Sequence, residues 1–280
     1  MKMNKKVLLA APIKEQLLTQ LTAKISEINT PLKLVIFQIE PTPESQIFLA
    51  SKQRLAKQLG ILSEVITYDS STPEEDIIAM IEQKNKEDET TGIMIQKPVS
   101  TNYDYQKLIH HIDPGKDIEG VTSIHQKNHE LIAPTARSVL AFIEYYHIDL
   151  LHQNVVIVGR SNIVGMPLYQ ILRQQTQVNL CGRDTPNAKE LIQQAGILII
   201  AVGKKYWLKE EMVKPNSIII DVGTNYENGH LYGDVCWEEV YPKVRMITPV
   251  PNGVGALTSI MLLDNVVKAY YLQQESNKRG

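Results

Sequence analysis

Cysteine is scarce in this chain, with two among 280 residues. That is too few for a disulfide framework, so the fold must rest on a hydrophobic core, and a reducing compartment is the simpler setting. Long apolar runs are lacking too. A spanning helix needs about 18 such residues, whereas stretches such as Ile197 to Val202 are strand-sized, so no membrane role is expected. Met1 to Ile13 carries lysines followed by Val7-Leu8-Leu9-Ala10-Ala11, a superficial likeness to a secretion signal. Pro12, Lys14 and Glu15 break it, and the expected location is cytoplasmic. Neither charge dominates: 29 Lys plus Arg against 31 Asp plus Glu leave a net −2, which offers no general footprint for a nucleic acid. There is no H-E-x-x-H, no paired C-x-x-C and no G-x-S-x-G. His110-His111 are adjacent and His125 precedes His129 by four, but neither matches a closed zinc pattern, and no metal is expected.

What is present describes a globular chain. Apolar residues make up 43% and charged residues 21%, and the length suggests about two domains. Short β-branched runs alternate with longer amphipathic stretches, the pattern of an α/β fold. Leu34-Val35-Ile36-Phe37 and Gly92-Ile93-Met94-Ile95 read as buried strands. A second series, Val155 to Val158, Val178 to Leu180, Ile197 to Ile200 and Ile218 to Ile220, reads as a parallel doubly wound sheet. The domain boundary is expected between Pro134 and Leu150.

In that second series, Val155 to Val158 runs into Gly159-Arg160-Ser161-Asn162-Ile163-Val164-Gly165-Met166-Pro167, a strand, a glycine turn and a helix start. The layout suits an anionic diphosphate, because glycine permits close approach and the helix end is electropositive. It is not G-x-G-x-x-G, and an ordinary strand-to-helix turn is the competing reading. The next strand ends at Cys181-Gly182-Arg183-Asp184, where a dinucleotide fold reads the ribose. Arg160 and Arg183 suit a 2′-phosphate, Asp184 a free 2′-hydroxyl. Val202-Gly203 and Gly223-Thr224-Asn225 also follow strands, at the edge where such sheets bind ligands.

In the first half, Ser45 is the expected N-cap and Gly60 the expected stop of one helix. Phe48, Lys52, Leu55 and Leu59 then share a stripe, with a lysine inside an apolar face. Lost solvation lowers the pKa of such an amine and suits it to proton transfer, although a snorkelling lysine gives the same pattern. Gln96 and Pro98 follow the Ile93 to Ile95 strand, and Asp113-Pro114-Gly115-Lys116-Asp117-Ile118-Glu119-Gly120 forms a charged turn.

Together with Thr248-Pro249-Val250-Pro251-Asn252-Gly253-Val254-Gly255, these blocks resemble the bifunctional methylenetetrahydrofolate dehydrogenase/methenyltetrahydrofolate cyclohydrolase family. The resemblance implies an α/β folate-binding catalytic domain, residues 1–139 plus a returning C-terminal helix, 255–280. It implies a Rossmann-like NAD(P)-binding domain, 140–254, with a cleft between the two. It further implies NADP as cofactor (NAD being the alternative), a tetrahydrofolate derivative as substrate and a homodimer. Lys52 would assist water attack on the methenyl carbon, oriented by Gln96, with Glu119 anchoring the pterin. Phe48, Pro98, Gly253, Val254 and Gly255 would line the substrate site. Gly159, Arg160, Ser161, Ile163, Arg183, Val202, Gly203, Gly223, Thr224 and Asn225 would hold the cofactor. The implied activity is oxidation of 5,10-methylenetetrahydrofolate to the methenyl form, then hydrolysis to 10-formyltetrahydrofolate. Departures cluster in the substrate half: Phe48 stands for a tyrosine, Glu119 for an aspartate and Lys97 for an apolar residue. Those departures leave two alternatives, a paralogue acting on another pterin-like substrate and a non-catalytic binding protein.

Overall fold

The computed structural model describes residues 6–122 and 130–279. The chain divides into two compact units, residues 1–17 with 134–258 and residues 18–133 with 259–280.

The second of these units is built on a three-stranded parallel sheet, ordered β2-β1-β3, with β1 at Lys33–Ile39, β2 at Leu62–Tyr68 and β3 at Gly92–Gln96. Every residue of β3 is buried, as are Leu34 to Phe37 of β1, because parallel strands covered on both faces need continuous apolar runs. The edge strand β2 is only half buried and carries Ser63, Glu64 and Thr67. Helices of this unit include α2 (Pro43–Gln58), α3 (Glu74–Lys86) and α4 (Tyr105–His110). The register pairs Gln38 with Gln96, which brings both amides to the carboxyl end of the sheet on one face.

The other unit carries a five-stranded parallel sheet, β10-β7-β6-β4-β5, formed by β4 (Val155–Val158), β5 (Val178–Cys181), β6 (Ile197–Ile200), β7 (Ile218–Asp221) and β10 (Met246–Ile247). A short hairpin, β8 (Asn225–Glu227) with β9 (His230–Tyr232), follows β7. The chain leaves β4 toward β5 and returns to β6 on the other side, so the strand order reverses between β4 and β6. Open α/β sheets bind their ligands outside such a switch point. Val158 is level with Cys181 and Ile200, and Ile200 with Asp221, so residues 159, 182, 201 and 222 emerge together.

The expected boundaries differ from this division in three places, one of them residues 255–258, which group with the five-stranded unit. Helix Pro134–Tyr145 groups with the five-stranded unit, and so do the first seventeen residues. Val7 bridges Ile247 and the Leu8 amide donates to Ile247 at 2.9 Å, so the N-terminal segment is tied to β10.

Candidate functional site

The helix that carries Lys52 starts three residues before the expected point. Thr42 is its N-cap: the Thr42 hydroxyl accepts from the Ser45 amide at 3.2 Å, and the Ser45 hydroxyl accepts from the Thr42 amide at 3.0 Å. Ser45 therefore closes a capping box from the third position, with Pro43 at the first. Gly60, at φ +74°, follows the last turn as expected. The buried face of α2 is Ser45, Leu49 and Ala56, continued by Leu59, and Lys52 lies along it half-buried. Phe48, expected within that stripe, is 41% exposed.

The Lys52 amine donates to Gln96 Oε1 at 2.7 Å, and the Gln96 amide nitrogen donates to the Lys97 carbonyl at 2.7 Å. The second bond fixes which end of the amide faces the lysine. Pro98, next along, is exposed. Glu119 faces the same amine. Burial lowers the pKa of Lys52, and the Glu119 charge opposes that. Burial also pushes the Glu119 carboxyl up to about 7, helped by Asp117, while Lys52, Lys97 and a backbone hydrogen bond from Ile95 pull it down. Such a pair shares its protons and titrates as a unit.

Asp117 builds the loop that presents Glu119. Fully buried, its Oδ1 accepts from the amides of Glu119 and Gly120, both at 3.1 Å, and its Oδ2 from those of Val121 and Thr122, both at 2.8 Å. Asn265 then staples the loop, donating to the carbonyls of Ile118 at 2.8 Å and Ile132 at 2.9 Å. Lys116, though in the charged turn, serves the scaffold: it donates to the carbonyls of Asn85 and Glu87 at the end of α3. Three buried polar atoms lack a hydrogen-bond partner among the described residues: Gln38 Nε2, Tyr105 Oη and Thr122 Oγ1. Gln38 is in register with Gln96 and Thr122 is on the Glu119 loop, so two of these flank the Lys52 group in sequence or register.

In the five-stranded unit Gly159 has φ +118°, and a Cβ there would collide with the Ala201 carbonyl, so the ends of β4 and β6 close only on glycine. Arg160 lies across Gly182, where a Cβ would stand 2.8 Å from its Cδ and Nε. Its guanidinium donates to Asp184 Oδ1 at 2.9 Å and to Thr185 Oγ1 at 2.6 Å. Ser161 and Arg183 are exposed and Ile163 is half-buried. The amides of Val202 and Gly203 donate to Asp234 Oδ2 at 2.7 and 2.9 Å, so they shape the turn and are not spare donors. Asp234 also accepts from the Lys204 amide and from Asn225 Nδ2. Asp221 accepts from the amides of Gly223, Asp234 and Val235, and its burial pushes it up to about 7 against those bonds.

Gly253, Val254 and Gly255, expected beside the substrate, belong to this unit rather than to that of Lys52. Val254 is 1% exposed and serves the core. Gly255 lies near Thr224, 3.8 Å from its hydroxyl to an added Cβ. Among the described residues no group of three or more His, Cys, Asp or Glu side chains is placed to hold a metal, and His125 and His129 lie outside them. Sequence reasoning missed Gln38, Asn265 and Asp234. The aspartate in Gly233-Asp234-Val235 resembles any turn residue until its amide partners are seen.

Two family models match the chain: the catalytic domain of tetrahydrofolate dehydrogenase/cyclohydrolase over residues 6–119, and its NAD(P)-binding domain over residues 133–274. The chain belongs to this family. The bifunctional protein FolD of Lactobacillus delbrueckii subsp. bulgaricus is 38% identical over 250 residues, covering 87% of this chain and 88% of that protein. The bifunctional 5,10-methylenetetrahydrofolate dehydrogenase/cyclohydrolase of Thermoplasma acidophilum matches with a TM-score of 0.90 at 32% identity, over 96% of this chain and all of that one. The FolD enzyme of Campylobacter jejuni gives 0.88 at 30%, over 95% and 99%. The dehydrogenase/cyclohydrolase assignment accounts for both units at once, since each domain model falls mainly on one of them.

Proposed function

We propose that this chain is a bifunctional enzyme that oxidises 5,10-methylenetetrahydrofolate to the methenyl form with NADP and hydrolyses that product to 10-formyltetrahydrofolate. The observation that carries the reading is the Lys52 amine, desolvated, 2.7 Å from Gln96 Oε1 and facing Glu119. With its pKa lowered by burial, the amine takes and returns a proton as water adds to the methenyl carbon. Gln96 holds it in one orientation, and Glu119 supplies the counter-charge and a contact for the pterin. Phe48 and Pro98 offer it apolar surface. Bound NADP would supply the hydride acceptor for the one-carbon bridge.

The residues at the end of the five-stranded sheet fit a dinucleotide. The turn after β4 has no side chain at Gly159, the switch point lies beside it, and a guanidinium stands at the end of β5 where the ribose substituent of such folds lies. In this reading residues 1–139 with 255–280 serve the folate and 140–254 the cofactor, adjusted at Pro134, at residues 255–258 and at the first seventeen residues as described. Gly159, Arg160, Ser161, Ile163, Arg183, Val202, Gly203, Gly223, Thr224 and Asn225 form the cofactor side. A homodimer and a cytoplasmic location belong to the same reading, and no helix among the described residues is long and apolar enough to cross a membrane. The test is a pair of spectrophotometric assays: cofactor reduction with methylenetetrahydrofolate, and loss of methenyltetrahydrofolate without cofactor. Turnover in both is expected. Tight nucleotide binding with turnover in neither would refute the reading.

A further inference from the structure

The guanidinium of Arg160 has two partners of different kinds. Its Nη1 donates to Asp184 Oδ1 at 2.9 Å and its Nη2 to Thr185 Oγ1 at 2.6 Å. The Asp184 side chain is 78% exposed. An ion pair so open to water contributes little, and a more highly charged anion can take its place. Thr185 is half-buried and built into its turn. Its hydroxyl oxygen also accepts from the Gly182 amide at 2.8 Å, and its own amide donates back to the Gly182 carbonyl at 3.3 Å. A hydroxyl oxygen has two lone pairs, and a guanidinium and a backbone N–H can only donate, so both lone pairs are taken. Thr185 is thereby fixed as an acceptor at the end of a closed turn, residues 182 to 185.

Gly182 clears the way to this anchor. A Cβ there would stand 2.8 Å from Arg160 Cδ and Nε and 3.1 Å from its Cζ, so the stem and guanidinium occupy the space that a side chain at 182 would fill. Val158 is level with Cys181, so the turns that carry Arg160 and Thr185 leave the sheet side by side. One nitrogen of the guanidinium is therefore tied to the fold, and the other to an exposed carboxylate. A phosphate dianion competes well for that second nitrogen, because charge-assisted bonds to it are strong. A nucleotide with a free 2′-hydroxyl has nothing to exchange there. We propose that Thr185 is a positioning residue that sets nucleotide choice: it holds Nη2 of Arg160 in place while Nη1 exchanges the Asp184 carboxylate for the 2′-phosphate of NADP. The inference rests on the cofactor side of the reading above, and it can be tested without any folate.

The experiment is calorimetric titration of NADP, and separately of NAD, into variants of the full chain. Thr185→Val keeps the bulk and removes the acceptor. It should raise the Kd for NADP roughly fivefold to tenfold and that for NAD by less than about twofold. Thr185→Ser, which keeps the hydroxyl, should restore NADP binding. Asp184→Ala should act with the opposite sign and tighten NADP. Made in an Arg160→Met background, Thr185→Val should cost less than about twofold more, because its effect passes through the guanidinium. Equal losses for NADP and NAD would show that Thr185 only shapes the turn and would sink the proposal, as would an unchanged NADP affinity. The full loss recurring in the Arg160→Met background would overturn the route through Arg160. Weaker NADP binding in Asp184→Ala would overturn the exchange. An unaltered protein that binds neither nucleotide would remove the cofactor reading itself, and this inference with it.

Discussion

The five-stranded unit holds its buried carboxylates Asp221 and Asp234 differently from the way the three-stranded unit holds Glu119. Asp221 and Asp234, at the end of the five-stranded sheet, are surrounded by backbone amides, six between them, plus the Asn225 amide. Glu119, in the three-stranded unit, faces ammoniums and another carboxylate instead, and the three orphaned polar atoms also belong to this unit. A carboxylate bound by amides fixes the shape of loops. One set among titratable groups can exchange charge with them, so the five-stranded unit uses this pair for loop shape, whereas the three-stranded unit divides the roles, Asp117 shaping through four backbone amides the loop that presents Glu119.

That contrast can be broken from either side. The largest effect is expected at Asp234. Its removal as Asp234→Ala strands the amides of Val202, Gly203 and Lys204, and urea denaturation should show a loss of about 3–5 kcal/mol. A loss below about 1 kcal/mol would mean the loops do not depend on it.

Glu119 should behave the other way. Its folded pKa is raised above the unfolded value, so the folded state binds more protons between the two, and stability falls as pH rises from about 4.5 through about 7. Glu119→Gln should remove its share of that decline when denaturation at about pH 5 is compared with about pH 8, leaving the part due to Asp221, which is raised in the same direction. An unchanged slope would show that Glu119 is not held in the desolvated setting described.

A smaller effect concerns cofactor choice. Asp184 occupies Arg160 at 2.9 Å and would repel a 2′-phosphate. Asp184→Ala should tighten NADP binding about tenfold, roughly 1.4 kcal/mol, with little change for NAD, as read by calorimetry. Equal effects on both nucleotides would show that this carboxylate does not discriminate. Smallest is Gln38→Leu, which removes a buried amide nitrogen that has no acceptor among the described residues. Stability should stay level or rise by up to about 1 kcal/mol in thermal unfolding, and a clear loss would mean the amide is satisfied after all.

Much of the architecture was legible beforehand, because parallel strands buried on both faces leave uninterrupted runs such as Ile197 to Ile200 and Leu34 to Phe37. The edge strand β2 and the β8–β9 hairpin leave no such run, being half exposed and polar. At the start of α2 a hydroxyl at Ser45 looked like a cap, when Thr42 caps and Ser45 answers it from the third position. Lys52 could be singled out from helical spacing alone. Its partner Gln96, 44 residues away, was named only through the family resemblance, because no local spacing joins the two. The roles of Asp117, Asn265 and Asp234 depend on backbone groups that no local pattern marks.

The decisive measurement sets one rate against one affinity in a single variant, Lys52→Met, which keeps the stem's bulk and removes the amine. Hydrolysis of methenyltetrahydrofolate should fall by about a hundredfold to ten-thousandfold, with the fold intact by circular dichroism, while nucleotide binding stays as in the unaltered protein. Hydrolysis at the original rate would contradict the role assigned to the amine that Gln96 holds at 2.7 Å.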